Sequence, residues 1–316
     1  MNLKPPSYSG RPIASIASLA LALGVPTERL LRVHSRANRR YRGPVLVKKR
    51  GRKDRMAWAA LPDLRAIQQR ISDRIIKRAH FPDYLYGGLA GCSYIGNARF
   101  HAGSTILFGQ DVASFYPSIT VGKIEAIFAH VFCFPREVAA FLAVLCCRNG
   151  ELVRGGVAST HLANLALYKY EPALEAKLRG DGLKYSRFLD DVYVSSTREL
   201  TAKKKTEVMS AMRNSMELAG FSPNRQKQFV VTAGSAMPVH GLNVNDSVSL
   251  PAKRRQQLRN EVFLLERWTV MQAWDAPMER CYLSLCSRIG HLVQTNAGDA
   301  RRLKSRLNQV SACRSI

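Results

Sequence analysis

Residues 183–196 read LKYSRFLDDVYVSS, and this stretch decides the fold. Apolar, strand-forming segments lie on both sides of the pair Asp190–Asp191, so the pattern predicts two short strands joined at that pair. Aspartate is common in hairpin turns, and by itself this leaves a structural turn and a functional pair equally weighted. Adjacent carboxylates repel each other, however, so a pair flanked by apolar residues is costly unless it holds a cation.

The chain on either side of this hairpin predicts a split βαβ arrangement. Residues 105–110 (TILFGQ) predict a strand that ends at Asp111, and residues 228–232 predict a last strand. Helical spacing is found in three segments between these strands: 121–131, 157–178 and 199–219. The order β-α-β-β-α-β puts the first strand beside the central hairpin. Asp111 is therefore expected to meet Asp190 and Asp191 at one edge of a sheet.

Both ends of the chain are predicted to be helical. Residues 11–24 have helical apolar spacing with Gly24 as a C-cap. A short helix is predicted over 26–33 and a longer one over 62–78. From Leu250 onward the chain is helical again and rich in cations. The first of these helices, 252–268, carries Lys253, Arg254, Arg255 and Arg259.

The charge of the chain is its most unusual property. It has 48 Lys and Arg against 23 Asp and Glu, a formal net charge of +25 and a pI near 10.3. Such an excess predicts a polyanionic partner, with nucleic acid favoured over an anionic membrane surface. The sequence contains neither a run of about 18 apolar residues nor a signal peptide, so a cytoplasmic protein without a membrane partner is expected. Seven cysteines without a CxxC pair argue against a disulfide framework and a structural zinc site.

The three aspartates suit phosphoryl transfer assisted by two divalent cations. Hard cations such as Mg²⁺ prefer oxygen ligands and take few protein carboxylates, leaving positions for substrate phosphates and water. The sequence therefore predicts that Asp111, Asp190 and Asp191 bind two Mg²⁺ ions, for which Mn²⁺ can substitute.

Four segments resemble, in order, the motifs of bacterial reverse transcriptases. Residues 111–119 (DVASFYPSI) are similar to the first catalytic motif, and residues 188–191 (FLDD) are similar to the YxDD box. Residues 155–165 (GGVASTHLANL) resemble the QGxPxSPxLxNL segment, and residues 220–227 (GFSPNRQK) resemble GFxxNxxK. This resemblance covers roughly residues 40–245 and keeps all three predicted metal ligands.

Two further segments resemble the retron subfamily of reverse transcriptases. Residues 97–101 (NARFH) match its NAxxH motif, and residues 239–245 (VHGLNVN) are similar to VTGLxVN. The chain departs from the patterns at four positions: Arg154 replaces Gln, Val157 replaces Pro, Phe188 replaces Tyr and His240 replaces Thr. A related phage-defence reverse transcriptase fits nearly as well.

The resemblance implies an α+β right-hand polymerase with fingers, a split βαβ palm and a helical thumb. It assigns residues 1–104 to N-terminal helices and fingers, which also include part of 132–156. Residues 105–245 form the palm, and residues 246–316 form the thumb. The implied function is RNA-directed DNA synthesis in a bacterial cell, copying a structured noncoding RNA into single-stranded DNA in antiphage defence.

The implied partners are the RNA template and primer, the DNA product, dNTPs and an effector protein. Two alternatives stay open. One is a defence-associated enzyme that makes repetitive or untemplated DNA. The other is a catalytically idle RNA-binding protein with a polymerase fold.

The resemblance also implies roles for single residues, each with an ordinary structural alternative. Lys227 would be a general acid rather than a surface lysine, and Tyr116 a steric gate rather than a core aromatic. Nucleotide-binding roles fall on four further residues: Lys49, Arg55, Arg154 and Gly155. RNA-binding roles fall on six: Asn97, His101, Lys253, Arg254, Arg255 and Arg259. For His101 taken alone, a structural histidine with its hydrogen bonds satisfied is the favoured alternative.

Overall fold

The computed structural model describes residues 4–47, 55–271 and 274–312 and is a mixed helix and sheet structure. The chain divides into two compact units. The first comprises Met1–Ser93, Phe108–Ser196 and Leu200–Val230, and the second comprises Tyr94–Leu107, Thr197–Glu199 and Val231–Ile316. No helix within the described ranges is both long and apolar enough to cross a membrane.

Strands and helices are interspersed along the chain, which ends in three successive helices within the described residues. The strands are β1 (Ser7–Tyr8), β2 (Val45–Val47), β3 (Arg55–Ala57), β4 (Ala79–His80), β5 (Ile106–Val112), β6 (Cys147–Arg148), β7 (Glu151–Leu152), β8 (Lys184–Phe188), β9 (Asp191–Ser196), β10 (Pro223–Thr232), β11 (Pro238–Val239) and β12 (Leu242–Asn243). The helices are α1 (Ile16–Leu23), α2 (Thr27–Ser35), α3 (Pro62–Arg74), α4 (Tyr94–His101), α5 (Phe115–Ser118), α6 (Val121–His130), α7 (Arg136–Cys146), α8 (Ser159–Leu165), α9 (Glu171–Gly180), α10 (Ala202–Leu218), α11 (Ala252–Met271), α12 (Ala276–Leu292) and α13 (Ala297–Ala312).

A four-stranded sheet with the order β10-β5-β9-β8 positions the candidate site. Strands β8 and β9 form an antiparallel hairpin whose register runs from Lys184 opposite Ser195 to Phe188 opposite Asp191. Every residue of β5 is buried, as is typical of a central strand that is covered on both faces. The first strand of the predicted β-α-β-β-α-β series therefore does lie beside the central hairpin.

Several predicted boundaries were wrong. Strand β5 continues to Val112, so Asp111 lies inside the strand, and β10 begins at Pro223 rather than at Gln228. The single helix predicted over 157–178 is two helices, α8 and α9. Pro172 lies in the first turn of α9, where a missing N–H is tolerated, whereas inside one continuous helix it would clash with the preceding turn.

The first unit confirms the predicted N-terminal helix and its C-cap at Gly24, but the helix begins at Ile16 rather than at residue 11. The Ser15 hydroxyl caps α1 by accepting a hydrogen bond from Ser18 N at 3.2 Å. Gly24 ends the helix with φ of 63°, a left-handed conformation that is accessible to glycine at little cost. Leu19 and Leu23 on the inner face are fully buried.

The second unit contains the three C-terminal helices α11, α12 and α13. These pack around a common apolar core, with Val262 and Leu265 from α11, Met278 and Leu285 from α12 and Leu307 from α13. Burial of these side chains stabilises the bundle by about 1.5–3 kcal/mol each.

Candidate active site

The hairpin turn and the neighbouring strand bring the three predicted carboxylates to one edge of the sheet. Because Phe188 pairs with Asp191, the turn consists of Leu189 and Asp190 alone. The backbone N–H of Val112 in β5 donates to the carbonyl of Asp190 at 2.9 Å. Asp111, one residue earlier in β5, therefore lies beside the Asp190–Asp191 pair.

The electrostatics of the pair show that its members interact. Burial, together with the neighbouring carboxylates of Asp190 and Asp111, raises the pKa of Asp191 to about 7. The Lys227 ammonium acts in the opposite direction. Near neutral pH, Asp191 is thus poised between its protonated form and its charged form, and only a charged carboxylate is a good metal ligand.

Two side chains from β10 hold the Asp111 carboxylate, which is only 5% exposed. Asn224 Nδ2 donates to Asp111 Oδ1 at 3.0 Å, and Lys227 Nζ donates to Asp111 Oδ2 at 2.6 Å. Gln110 Nε2 ties the two strands together by donating to the carbonyls of Asp111 and Asn224, each at 3.1 Å. The early start of β10 explains these contacts, because Asn224 and Lys227 lie within the strand.

The donor chemistry at this edge fits a hard divalent cation. All three acidic groups present carboxylate oxygens, and the Lys227 ammonium already takes a cation's position at Asp111. Only one ammonium group balances the three carboxylates, so the charge balance of the site allows a divalent cation to bind. In the described ranges, no three His, Cys, Asp or Glu side chains are arranged as a ready-made metal-binding group.

A cavity of about 440 Å³ lies near the carboxylates in the same unit and has Met56, Trp58, Tyr116 and Arg154 in its lining. Burial raises the pKa of Tyr116, and the nearby Asp190 carboxylate raises it further, so the tyrosine is close to the acidic pair. Arg154 lies over the Tyr116 ring, with its Cζ 5.2 Å from the ring centroid.

The backbone beside this cavity is built from β3 and the segment around Gly155. Trp58 N donates to the carbonyl of Arg154 at 3.1 Å. Gly155 has φ of +86°, which disfavours any residue with a side chain, and lies against Ala57 and Trp58. The structure therefore brings together three of the residues predicted to bind the nucleotide: Tyr116, Arg154 and Gly155.

Two lining residues were missed by the sequence analysis. Arg148 lies over the Trp58 ring with its Cζ 3.4 Å from the centroid, a cation–π contact. No motif contains either residue, and they are 90 positions apart in the sequence. Of the other predicted residues, Arg55 is the first residue of β3, and Lys49 lies outside the described residues.

Asn97 and His101 in the second unit are both 0% exposed, and Asn97 Nδ2 lies 2.9 Å from His240 Nε2. Burial lowers the pKa of His240 to about 4, so this imidazole is neutral at physiological pH. The burial favours a structural role for Asn97 and His101 over direct RNA contact.

The four predicted RNA-binding cations of α11 differ in their surroundings. Lys253 and Arg254 are exposed. Arg255 and Arg259 both reach the Asp299 carboxylate, at 3.0 and 3.6 Å. Lys253 and Arg254 are therefore the more available of the four for a polyanion.

The raised pKa of Asp191 predicts a pH-dependent response to Mg²⁺. The protonated Asp191 carboxyl favours folding, because its pKa is higher in the folded than in the unfolded state. This contribution is fully present below the unfolded pKa of about 3.9 and is lost as pH rises through the folded pKa of about 7. A cation that binds the charged form offsets the loss. We expect Mg²⁺ to raise the melting temperature more at about pH 8 than at about pH 6. Thermal denaturation of the parent and Asp191→Asn measures this, and an equal pH dependence in both would contradict it.

No family model matches the chain. Among curated proteins, the retron Se72 reverse transcriptase of Salmonella heidelberg is 29% identical over 300 residues, covering 92% of this chain and 79% of that protein. The retron Ec48 reverse transcriptase of Escherichia coli is 25% identical, covering 83% and 67%. The retron Ec86 reverse transcriptase of the same species is 26% identical, covering 78% and 75%.

Among solved structures, telomerase from Candida albicans with a fragment of telomeric RNA matches with a TM-score of 0.41 and 8% identity. The match covers 66% of this chain and 40% of the telomerase chain. The sequence comparisons support a reverse transcriptase, an RNA-directed DNA polymerase. Over most of its length the chain is similar to retron reverse transcriptases, which confirms the resemblance inferred from its motifs.

Proposed function

We propose that this protein is an RNA-directed DNA polymerase that copies a structured noncoding RNA into single-stranded DNA. The observation that carries the proposal is the meeting of Asp111 with Asp190 and Asp191 where β5 adjoins the hairpin turn. The similarity to retron reverse transcriptases supports the same activity. The net charge of +25 supports a nucleic-acid substrate.

In the proposed reaction, the 3′-hydroxyl of the growing strand attacks the α-phosphorus of a dNTP. The new O3′–Pα bond forms as the Pα–O bond to pyrophosphate breaks. Asp111, Asp190 and Asp191 would hold two Mg²⁺ ions, which supply activation of the hydroxyl and charge neutralisation of the leaving group. Lys227, which is bonded to Asp111 in this structure, is our candidate to protonate the pyrophosphate.

The cavity beside the carboxylates is the proposed nucleotide site. Tyr116 would lie under the sugar and exclude a 2′-hydroxyl, while Arg154 and the backbone at Gly155 would approach the incoming nucleotide. Arg55 and Lys49 would bind the triphosphate, with arginine providing a bidentate grip. The lining by Tyr116 and Arg154 supports this assignment.

The finer architecture belongs to the same proposal. Fingers, split βαβ palm and thumb would follow the ranges 1–104 with part of 132–156, 105–245 and 246–316. The thumb would lie along the template–primer duplex and use the exposed cations Lys253 and Arg254 of α11. We place the enzyme in retron-type antiphage defence with an effector protein.

The proposal is tested by incubating the purified chain with Mg²⁺, dNTPs and the RNA that copurifies with it, and sequencing the products. DNA complementary to that RNA, particularly if covalently joined to it, supports the proposal. Repetitive or template-independent DNA would favour the defence-associated alternative. RNA binding without any nucleotide incorporation would favour the idle RNA-binding protein.

A further prediction concerns the salt dependence of RNA binding. Each Lys or Arg that contacts a phosphate adds about 0.7–0.9 to the slope of log affinity against log salt. The double variant Lys253→Ala/Arg254→Ala should therefore reduce that slope by about 1–2. Arg136→Ala is the control, because Arg136 in α7 has a side chain that is 94% exposed and lies in the first unit, outside the proposed thumb. Equal slopes for the parent and the double variant, measured by filter binding, would contradict the assignment.

A further inference from the structure

A buried ion pair lies directly behind the turn that carries Asp190 and Asp191. Arg187 in β8 and Glu171 at the start of α9 have side chains that are 0% and 1% exposed. Arg187 Nε and Nη2 donate to the two Glu171 carboxylate oxygens at 2.5 and 2.8 Å, a bidentate arrangement. The Tyr185 hydroxyl donates to the same carboxylate at 2.7 Å. No step of the proposed reaction uses these groups.

The Arg187 guanidinium also reaches the turn itself. Its Nη1 donates at 3.1 Å to the carbonyl of Leu189, the residue immediately before Asp190. Leu189 has φ of 56°, a conformation that costs a bulky L-residue energy and persists only when the surroundings enforce it. The arginine thus fixes the backbone at the strained position of the turn.

A second set of contacts connects Arg187 to the turn through Asn164 and Gly87. Arg187 Nη2 donates at 2.6 Å to the carbonyl of Asn164, and the Asn164 side-chain amide donates at 2.7 Å to the carbonyl of Gly87. Gly87 in turn lies so close to Leu189 that an added Cβ would be 2.7 Å from the Leu189 backbone nitrogen. Arg187, Asn164, Gly87 and Leu189 therefore form a closed ring of contacts.

We infer that Arg187, together with Glu171 and Asn164, is a positioning device that holds the Asp190–Asp191 turn in the geometry required for metal binding. The inference rests on the proposed function, because that function is what requires Asp190 and Asp191 to bind metal ions. A buried ion pair is a poor source of net stability, since desolvation of both charges offsets their attraction. Groups that orient metal ligands from behind commonly affect metal affinity or activity by about 10–100-fold.

Arg187→Lys tests the inference while keeping the positive charge that Glu171 requires. Lysine lacks the planar fork, so it cannot bind both Glu171 oxygens and the Leu189 carbonyl together. We expect Mn²⁺ binding, measured by electron paramagnetic resonance, to weaken about 10–100-fold. The Mg²⁺ concentration for half-maximal primer extension should rise in parallel, with a smaller change in KM for dNTP.

Asn164→Ala provides a second route if Arg187→Lys does not fold. It removes the bond to Gly87 but leaves the backbone carbonyl that Arg187 uses, and it should also weaken Mn²⁺ binding. Arg179→Lys is the control. The Arg179 side chain is 57% exposed and pairs with Glu175 on α9. Its replacement should leave Mn²⁺ binding unchanged.

The outcomes separate this inference from the proposed function. If the parent binds Mn²⁺ but makes no DNA, the polymerase proposal fails, and the comparison of Mn²⁺ affinities still decides the role of Arg187. Parent-like Mn²⁺ affinity in the folded Arg187→Lys or Asn164→Ala protein would overturn the inference.

Discussion

Asp191→Asn is expected to reduce RNA-templated nucleotide incorporation on the order of 1,000-fold or more. The substitution keeps the shape of the side chain but removes the charge that would hold a divalent cation. It should leave the protein folded, because the raised pKa of Asp191 shows that a neutral group is well tolerated there. Single-turnover incorporation of one dNTP in Mg²⁺ measures the effect. Asp111→Asn should act in the same way.

The control for this loss is Asp73→Asn. Asp73 is a half-exposed carboxylate that pairs with Lys77 on the surface of the first unit. Its removal should leave the incorporation rate within about twofold of the parent, because surface ion pairs contribute little. Retention of a tenth or more of the parent rate by folded Asp191→Asn would contradict the metal-binding assignment.

Tyr116→Ala should allow the enzyme to use ribonucleotides. If the Tyr116 ring lies under the sugar, its removal leaves space for a 2′-hydroxyl, and discrimination between dNTP and rNTP should fall by roughly 100-fold. The measured quantity is the ratio of kcat/KM for dNTP to that for the matching rNTP. The expected size of the loss follows from packing alone, because the ring would exclude the hydroxyl by direct contact.

Tyr116→Phe is the matched control for this change. It keeps the ring and removes only the hydroxyl, so discrimination should stay near the parent value. A Tyr116→Ala enzyme that still incorporates dNTP and rejects rNTP as well as the parent would assign Tyr116 to the core instead.

The central part of the site could be predicted from sequence because short-range patterns specify it. Alternating apolar residues around Asp190–Asp191 indicated the hairpin, and the order of strands and helices indicated that β5 lies beside β9. Asp111 and the acidic pair are 79 residues apart, yet the topology alone brings them together. The order of strands and helices in the sequence is thus enough to predict that β5 lies beside the hairpin.

The contacts that tune the site could not be predicted, because they join segments with no shared pattern. Arg148 meets Trp58 only because β6 and the residue that follows β3 border one cavity. The Arg187–Glu171 pair depends on the start of α9 at Glu171. The apolar spacing of residues 157–178 predicts one continuous helix and gives no sign of that start. The NAxxH motif implies RNA binding by Asn97, but the Asn97 side-chain amide lies buried within 2.9 Å of His240 Nε2, 143 positions away in the sequence.

The central claim is that Asp111, Asp190 and Asp191 jointly bind divalent cations at the end of a primer. The most direct test is anomalous diffraction from crystals of the protein with Mn²⁺, an RNA template, a primer lacking its 3′-hydroxyl and a dNTP. We expect two manganese peaks about 3.5–4 Å apart, ligated by these carboxylates. Well-ordered nucleic acid and dNTP with no manganese at these residues would contradict it.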